Sequence, residues 1–148
     1  MARYSIKHTL VLTAVVALAL GLTTWYISRR CSDPIEQLKR FGATLNDSRT
    51  GVNMAGASFE DAHLAPLPRI PGLQSVSLEY SRVTNDGMEI LARCRHLLSV
   101  DLRATKVTDA GVRSLSECSL LEHVELGNTS TGNKGLRYLS RCQQIEYL

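Results

Sequence analysis

A period of 24 residues constrains this chain more than any other feature. Leu73, Val76, Leu78, Val83, Gly87, Leu91 and Cys94 recur as Leu97, Val100, Leu102, Val107, Gly111, Leu115 and Cys118, and again as Leu121, Val124, Leu126, Thr131, Gly135, Leu139 and Cys142. Only Thr131 changes class. Projecting the same spacing backwards gives Val52, Met54, Phe59, Leu64, Leu67 and Ile70, a degenerate first copy. The copies are therefore 49–72, 73–96, 97–120 and 121–144, with a fifth begun at Ile145. A period of this size builds one small unit several times, each burying its apolar side against the next.

Two shorter periods alternate inside each copy. Val76 and Leu78 stand two apart, on one face of a short strand, whereas Gly87-Met88-x-x-Leu91-x-x-Cys94 has helical spacing. Thr84 and Thr108 precede the helical stretches and are suited to cap them. Stacked copies place the strands in one parallel sheet and the helices on the opposite side. The predicted core between them is Val76, Leu78, Leu91, Cys94, Val100, Leu102, Leu115, Cys118, Val124, Leu126, Leu139 and Cys142.

Leu73-x-x-Val76-x-Leu78 and its copies resemble the leucine-rich repeat, L-x-x-L-x-L-x-x-N/C-x-L, with Ser81, Thr105 and Thr129 at the usual Asn or Cys position. The Val-Thr-Asp-x-Gly stretch and the helix-terminal cysteine look like the cysteine-containing subfamily, although no F-box precedes the repeats. A closer resemblance is to short bacterial leucine-rich-repeat proteins with a small helix-and-strand cap before T-D-x-G-L repeats. It implies an α/β leucine-rich-repeat solenoid over 49–148, with parallel strands on a concave face and helices on a convex one. The juxtamembrane segment 28–48 fits the cap. Asp33 is suited to N-cap a helix with Pro34 at its first position and Glu36 at its third. Ile35, Leu38, Phe41 and Leu45 offer one apolar stripe, and Gly42 stops the helix.

Residues 1–8 form a short tail, and residues 9–27 are nineteen residues without a charge. As a helix they span roughly 28 Å, close to a bilayer's hydrocarbon thickness. Arg3, Lys7, Arg29 and Arg30 flank the stretch, and Trp25 and Tyr26 sit where an interfacial aromatic belt lies. The favoured reading is a transmembrane signal anchor holding the repeats at the membrane, more on the extracytoplasmic side. A signal peptide cleaved at Ala17-Leu18-Ala19 and a buried helix are the alternatives. Cys31, beside the anchor, is either acylated or a free thiol.

Charge excludes a further class. The first 48 residues hold six basic and three acidic side chains, and the remaining hundred hold eleven of each. A nucleic-acid-binding domain needs its cations gathered on a folded face, so no nucleic-acid partner is expected.

Candidate chemistry is sparse. Cys94, Cys118 and Cys142 occupy one repeat position and read as a ladder of small buried hydrophobes rather than disulfide or zinc ligands. Asp86 and Asp109 read as helix-start residues rather than calcium ligands. His123 stands near Asp101 and Glu125, but no nucleophile is forced beside it and an open sheet excludes water poorly. No catalytic, metal or cofactor site is therefore expected, and the chain is not read as an enzyme. The expected partner-binding surface is the concave face, with Ser77, Glu79, Tyr80, Asp101, Arg103, His123, Glu125 and Asn128. Glu79 and Arg103 are positioned to pair across adjacent strands, and Tyr80 is the foremost anchor for a partner. The resulting expectation is a membrane-anchored protein-binding module with an unidentified protein partner. The alternative is a truncated repeat remnant or scaffold that self-associates through an open edge at residues 143–148, where fraying is the blander outcome.

Overall fold

A computed structural model describes residues 33–142 and 144–146. The expectations placed on the tail, the apolar stretch 9–27 and Cys31 lie outside these residues. The described chain begins with helix α1, Pro34–Arg40, and a hairpin of strands β1, Thr44–Leu45, and β2, Gly51–Asn53. Two 3₁₀ turns follow at Asp61–Leu64 and Leu67–Arg69. Strand and helix then alternate three times: β3 (Ser75–Ser77), α2 (Asn85–Leu91), β4 (Ser99–Asp101), α3 (Asp109–Leu115), β5 (His123–Glu125) and α4 (Asn133–Leu139).

The sheet order is β1-β2-β3-β4-β5. Val52 pairs with Val76, Val76 with Val100 and Val100 with Val124, so the sequence period is also the register of the parallel pairs. β3, β4 and β5 each place their central valine in the core, where alternation leaves its neighbours half-buried or exposed on the other face. Behind the strands, the 3₁₀ turns and helices close a single core of Leu, Val, Met and Cys side chains. Leu126, expected fully inside, is only partly buried, since no strand lies beyond β5 among the described residues.

The N-terminal segment is built by local chemistry. Asp33 Oδ1 accepts from the Ile35 N–H at 2.9 Å, and Pro34 occupies the first helical position. At the other end the Ala43 N–H donates to the Leu38 carbonyl and the Gly42 N–H to that of Lys39, with Gly42 at φ 91°. That is a Schellman ending, in which glycine supplies the left-handed residue. Leu38 is fully buried, but Phe41 is 43% exposed and turns its ring edge towards His63, at 4.6 Å between centroids.

Three expectations need correction. The sheet is mixed, because β1 runs antiparallel to β2, pairing Thr44 with Asn53 and Leu45 with Val52. The first unit carries two 3₁₀ turns in place of an α-helix. Pro66 and Pro68 fall in the second turn, and proline lacks the N–H a continuing helix would use. Finally, among the described residues no helix is long and apolar enough to cross a membrane. The longest run seven residues, about 10 Å against a hydrocarbon core of about 30 Å. Among the described residues the transmembrane element of the expected fold, and the single-pass, extracytoplasmic placement drawn from it, therefore find no support.

Candidate functional site: a charged network on the strand face

Asp101 ends β4 with its side chain folded back on the chain. Its Oδ1 accepts from the Arg103 main-chain N–H at 3.0 Å, as Asn53 Oδ1 accepts from Ala55 two units earlier at 2.9 Å. A short Asx side chain makes this turn two residues on. The turn brings the Arg103 guanidinium over the same carboxylate, with Nε to Oδ1 at 3.0 Å and Nη2 to Oδ2 at 2.7 Å. This two-pronged arrangement is the strong form of an arginine–carboxylate pair. Arg103 also reaches Glu79 on one side at 3.2 Å and Glu125 on the other at 3.8 Å.

One cation thus ties together three carboxylates from three neighbouring units. Partial burial pushes the Asp101 carboxyl up, but its hydrogen bonds to Arg103 and that residue's charge together outweigh burial and hold it below the ordinary 3.8. The bonds to Asp101, followed by its charge, raise Arg103 in turn. Because the folded value of Asp101 is lowered, its stabilising contribution is present above pH 3.8 and is lost as the pH falls through the folded value.

Beside the network runs a row of left-handed residues. Tyr80, Ala104 and Asn128 have φ of 57°, 54° and 56°, and Gly56 holds the equivalent place in the first unit at 110°. The backbone requires this shape, since the Tyr80 N–H donates to the Arg103 carbonyl and the Ala104 N–H to that of Gly127. Asparagine tolerates the left-handed region and glycine suits it, whereas a bulky residue there is strained by about 1–2 kcal/mol. Tyr80 holds that conformation with its side chain 62% exposed.

The eight expected contact residues therefore come to one sheet face but not to one point. Ser77, Asp101 and Glu125 are register neighbours, and Glu79 and Arg103 adjoin them. His123, half-buried at the start of β5, lies in register with Ser99. Asn128 is two strand spacings from Tyr80, roughly 10 Å. No protein-family model and no curated protein matches this chain. The site is thus described by its own geometry.

Sequence reading paired Arg103 with Glu79 and missed its shorter contact with Asp101. Arg103 lies beyond the end of β4, and this contact follows from the Asx turn at Asp101, which strand alternation does not predict. A second feature was also missed. Asp61, Asn85 and Asp109 each start a helical segment, yet their side chains serve the next unit. Asp61 accepts from the N–H and hydroxyl of Thr84 at 2.8 and 2.7 Å. Asn85 accepts from the N–H groups of Thr108 and Gly111, both at 3.0 Å, and Asp109 from those of Gly132 and Gly135 at 2.7 and 2.8 Å. Thr84 and Thr108 add local caps at 3.4 Å.

Cys94, Cys118 and Cys142 are buried free thiols on the helix side of the core. Burial, with a smaller effect of the neighbouring Cys118, pushes Cys94 up to about 12. Burial, then Cys142 and Glu117, pushes Cys118 up to about 11. Thiols held this far above neutrality are poor nucleophiles. Among the described residues no group of three His, Cys, Asp or Glu side chains is arranged to hold a metal ion.

Proposed function

We propose that this chain is a protein-binding module of the leucine-rich-repeat type, without catalytic activity, whose strand face receives a cationic segment of a protein partner. The observation carrying this reading is the composition of that face around Arg103. Glu79, Asp101 and Glu125 outnumber their one guanidinium, leaving two net negative charges beside the exposed ring of Tyr80. Such a surface attracts Lys- or Arg-bearing chains and lays an aromatic anchor against their stems. Electrostatic pairing of this kind mainly sets association rate and specificity, so binding is expected to weaken with salt.

The test is titration of the full-length chain with a set of short peptides of graded positive charge. Basic peptides are expected to bind more tightly than neutral or acidic ones, with roughly tenfold loss for Tyr80→Gly or for Glu79→Gln combined with Glu125→Gln. Glycine at position 80 also relieves the left-handed strain, so that variant is expected to lose binding while unfolding at a higher urea concentration. Peptide affinity indifferent to charge and to all three substitutions would overturn the reading.

A further inference from the structure

A second surface lies away from the strand face, where the first two units meet at the C-terminal ends of their helical segments. The turn from Pro68 to Leu73 and the turn from Arg93 to His96 enclose a cleft of about 460 Å³. Its lining contains Arg69, Arg93, Arg95 and His96 and not one carboxylate. Arg69 and Arg93 stand 24 residues apart, at one position of adjacent units, so two like charges are set side by side. On the strand face, by contrast, Arg103 has three carboxylates, and Arg82 has Glu60 at 3.6 Å. Arg93 and Arg95 make no ion pair among the described residues.

A helix C-terminus attracts cations, and this alone would account for one arginine. It does not account for the cluster. The residues equivalent to Arg93 and Arg95 in the next unit are Glu117 and Ser119, and helix α3 ends there without arginine, whereas Arg141 holds the first of these places in the fourth unit. The repeat therefore does not require arginine at these places. Arginines lining a concave space offer guanidinium groups that suit the oxygens of a phosphate group, which such groups grip in pairs. The cleft volume falls within the range of small-molecule sites, roughly 300–1,000 Å³, and Ile70, Pro71 and Leu73 give it an apolar wall.

We propose that this cleft binds a phosphate-bearing small molecule through Arg93 and Arg95. The site is independent of the strand face. Calorimetric titration of the full-length chain with pyrophosphate and with a nucleoside diphosphate tests it. Both are expected to saturate at one molecule per chain, and tighter binding of the nucleotide would show the apolar wall in use. Arg93→Gln and Arg95→Gln are each expected to weaken pyrophosphate about tenfold, with Arg93→Lys intermediate because an ammonium lacks the planar fork. Arg113→Gln, on the exposed side of α3, is expected to leave binding unchanged. Thermal melts followed by circular dichroism check that each variant is folded. Equal loss in Arg113→Gln, tighter capture of an acidic hexapeptide than of pyrophosphate, or no saturation by about 10 mM would each overturn the proposal.

Discussion

Ser81, Thr105 and Thr129 hold one place in successive units but not one chemistry. The threonine hydroxyls donate to the carbonyls of Leu102 and Leu126 at 2.7 and 2.8 Å. The Ser81 hydroxyl, 4% exposed, has no partner among the described residues. A buried hydroxyl without a bond costs about 1–3 kcal/mol of desolvation, and removing it recovers part of that. Ser81→Ala is therefore expected to raise unfolding free energy by about 1 kcal/mol, and Ser81→Thr to do so by supplying the missing bond to Leu78. Urea unfolding of both variants measures this, and a destabilised alanine variant would mean that Ser81 bonds elsewhere in solution. Tyr80 shows the opposite economy, since a strained backbone is kept where glycine or asparagine would be relaxed. Neither feature is legible in the residue letters. The period predicted which positions are equivalent, but the orientation of a hydroxyl and the sign of a φ angle depend on atoms from the unit alongside.

At the scale of an element, the start of each repeat helix is bonded by a side chain of the preceding unit. The carboxamide of Asn85 and the carboxylate of Asp109 lie where a side-chain carbon on the following helix would otherwise sit. A Cβ on Gly111 would stand 2.6 Å from Asn85 Oδ1, and one on Gly135 would stand 2.8 Å from Asp109 Oδ1. The recurring glycine is thus the space into which the previous unit's cap reaches. Asp109→Ala would leave the Gly132 and Gly135 N–H groups without acceptors and is expected to lower stability by about 1–2 kcal/mol. Hydrogen exchange should quicken first at the N-terminal turn of α4. Asp109→Asn should be close to neutral, because Asn85 performs the same task one unit earlier. Equal exchange in the alanine variant would remove this role. Strand positions, helix positions and the capping helix were legible because periods of two and about 3.6 are written in single residues. The 3₁₀ turns of the first unit and the antiparallel β1 were not, since they follow from prolines and a hairpin outside the repeat. The Asx at 61, 85, 109 and 133 was visible as a recurrence, but its reach across 23 to 26 residues is a property of stacking.

For the whole molecule, the three thiols couple stability to alkaline pH. Their folded values lie above the ordinary 9.0, with Cys94 near 12 and Cys118 near 11. A raised acid keeps its full contribution below the unfolded value and loses it as pH climbs through the folded one. Unfolding free energy is therefore expected to hold steady to about pH 9 and then to fall by a few kcal/mol towards pH 12. In Cys94→Ala the fall should be shallower from a lower starting stability. Urea titrations at pH 7, 9, 10 and 11 measure the slope, and a parallel fall in both proteins would assign it to other groups. The strand-face network was partly legible at this scale: the rows of side chains followed from alternation, whereas the pull of Asp101 on Arg103 followed from a turn. Residues 144–146 carry the ladder one step beyond β5, through a Glu146 N–H bond to the Glu122 carbonyl at 2.9 Å.

The caps that cross from unit to unit also have a direction. Every acceptor precedes its donors along the chain: Asp61 before Thr84, Asn85 before Gly111, Asp109 before Gly135. If the units fold in order of synthesis, each new helix would meet a carboxylate or carboxamide already in place. A chain assembled in the reverse order would leave the Gly111 and Gly135 N–H groups without these acceptors until the preceding unit arrived. Folding from the N-terminus would therefore let each finished unit present an acceptor to the helix start that follows.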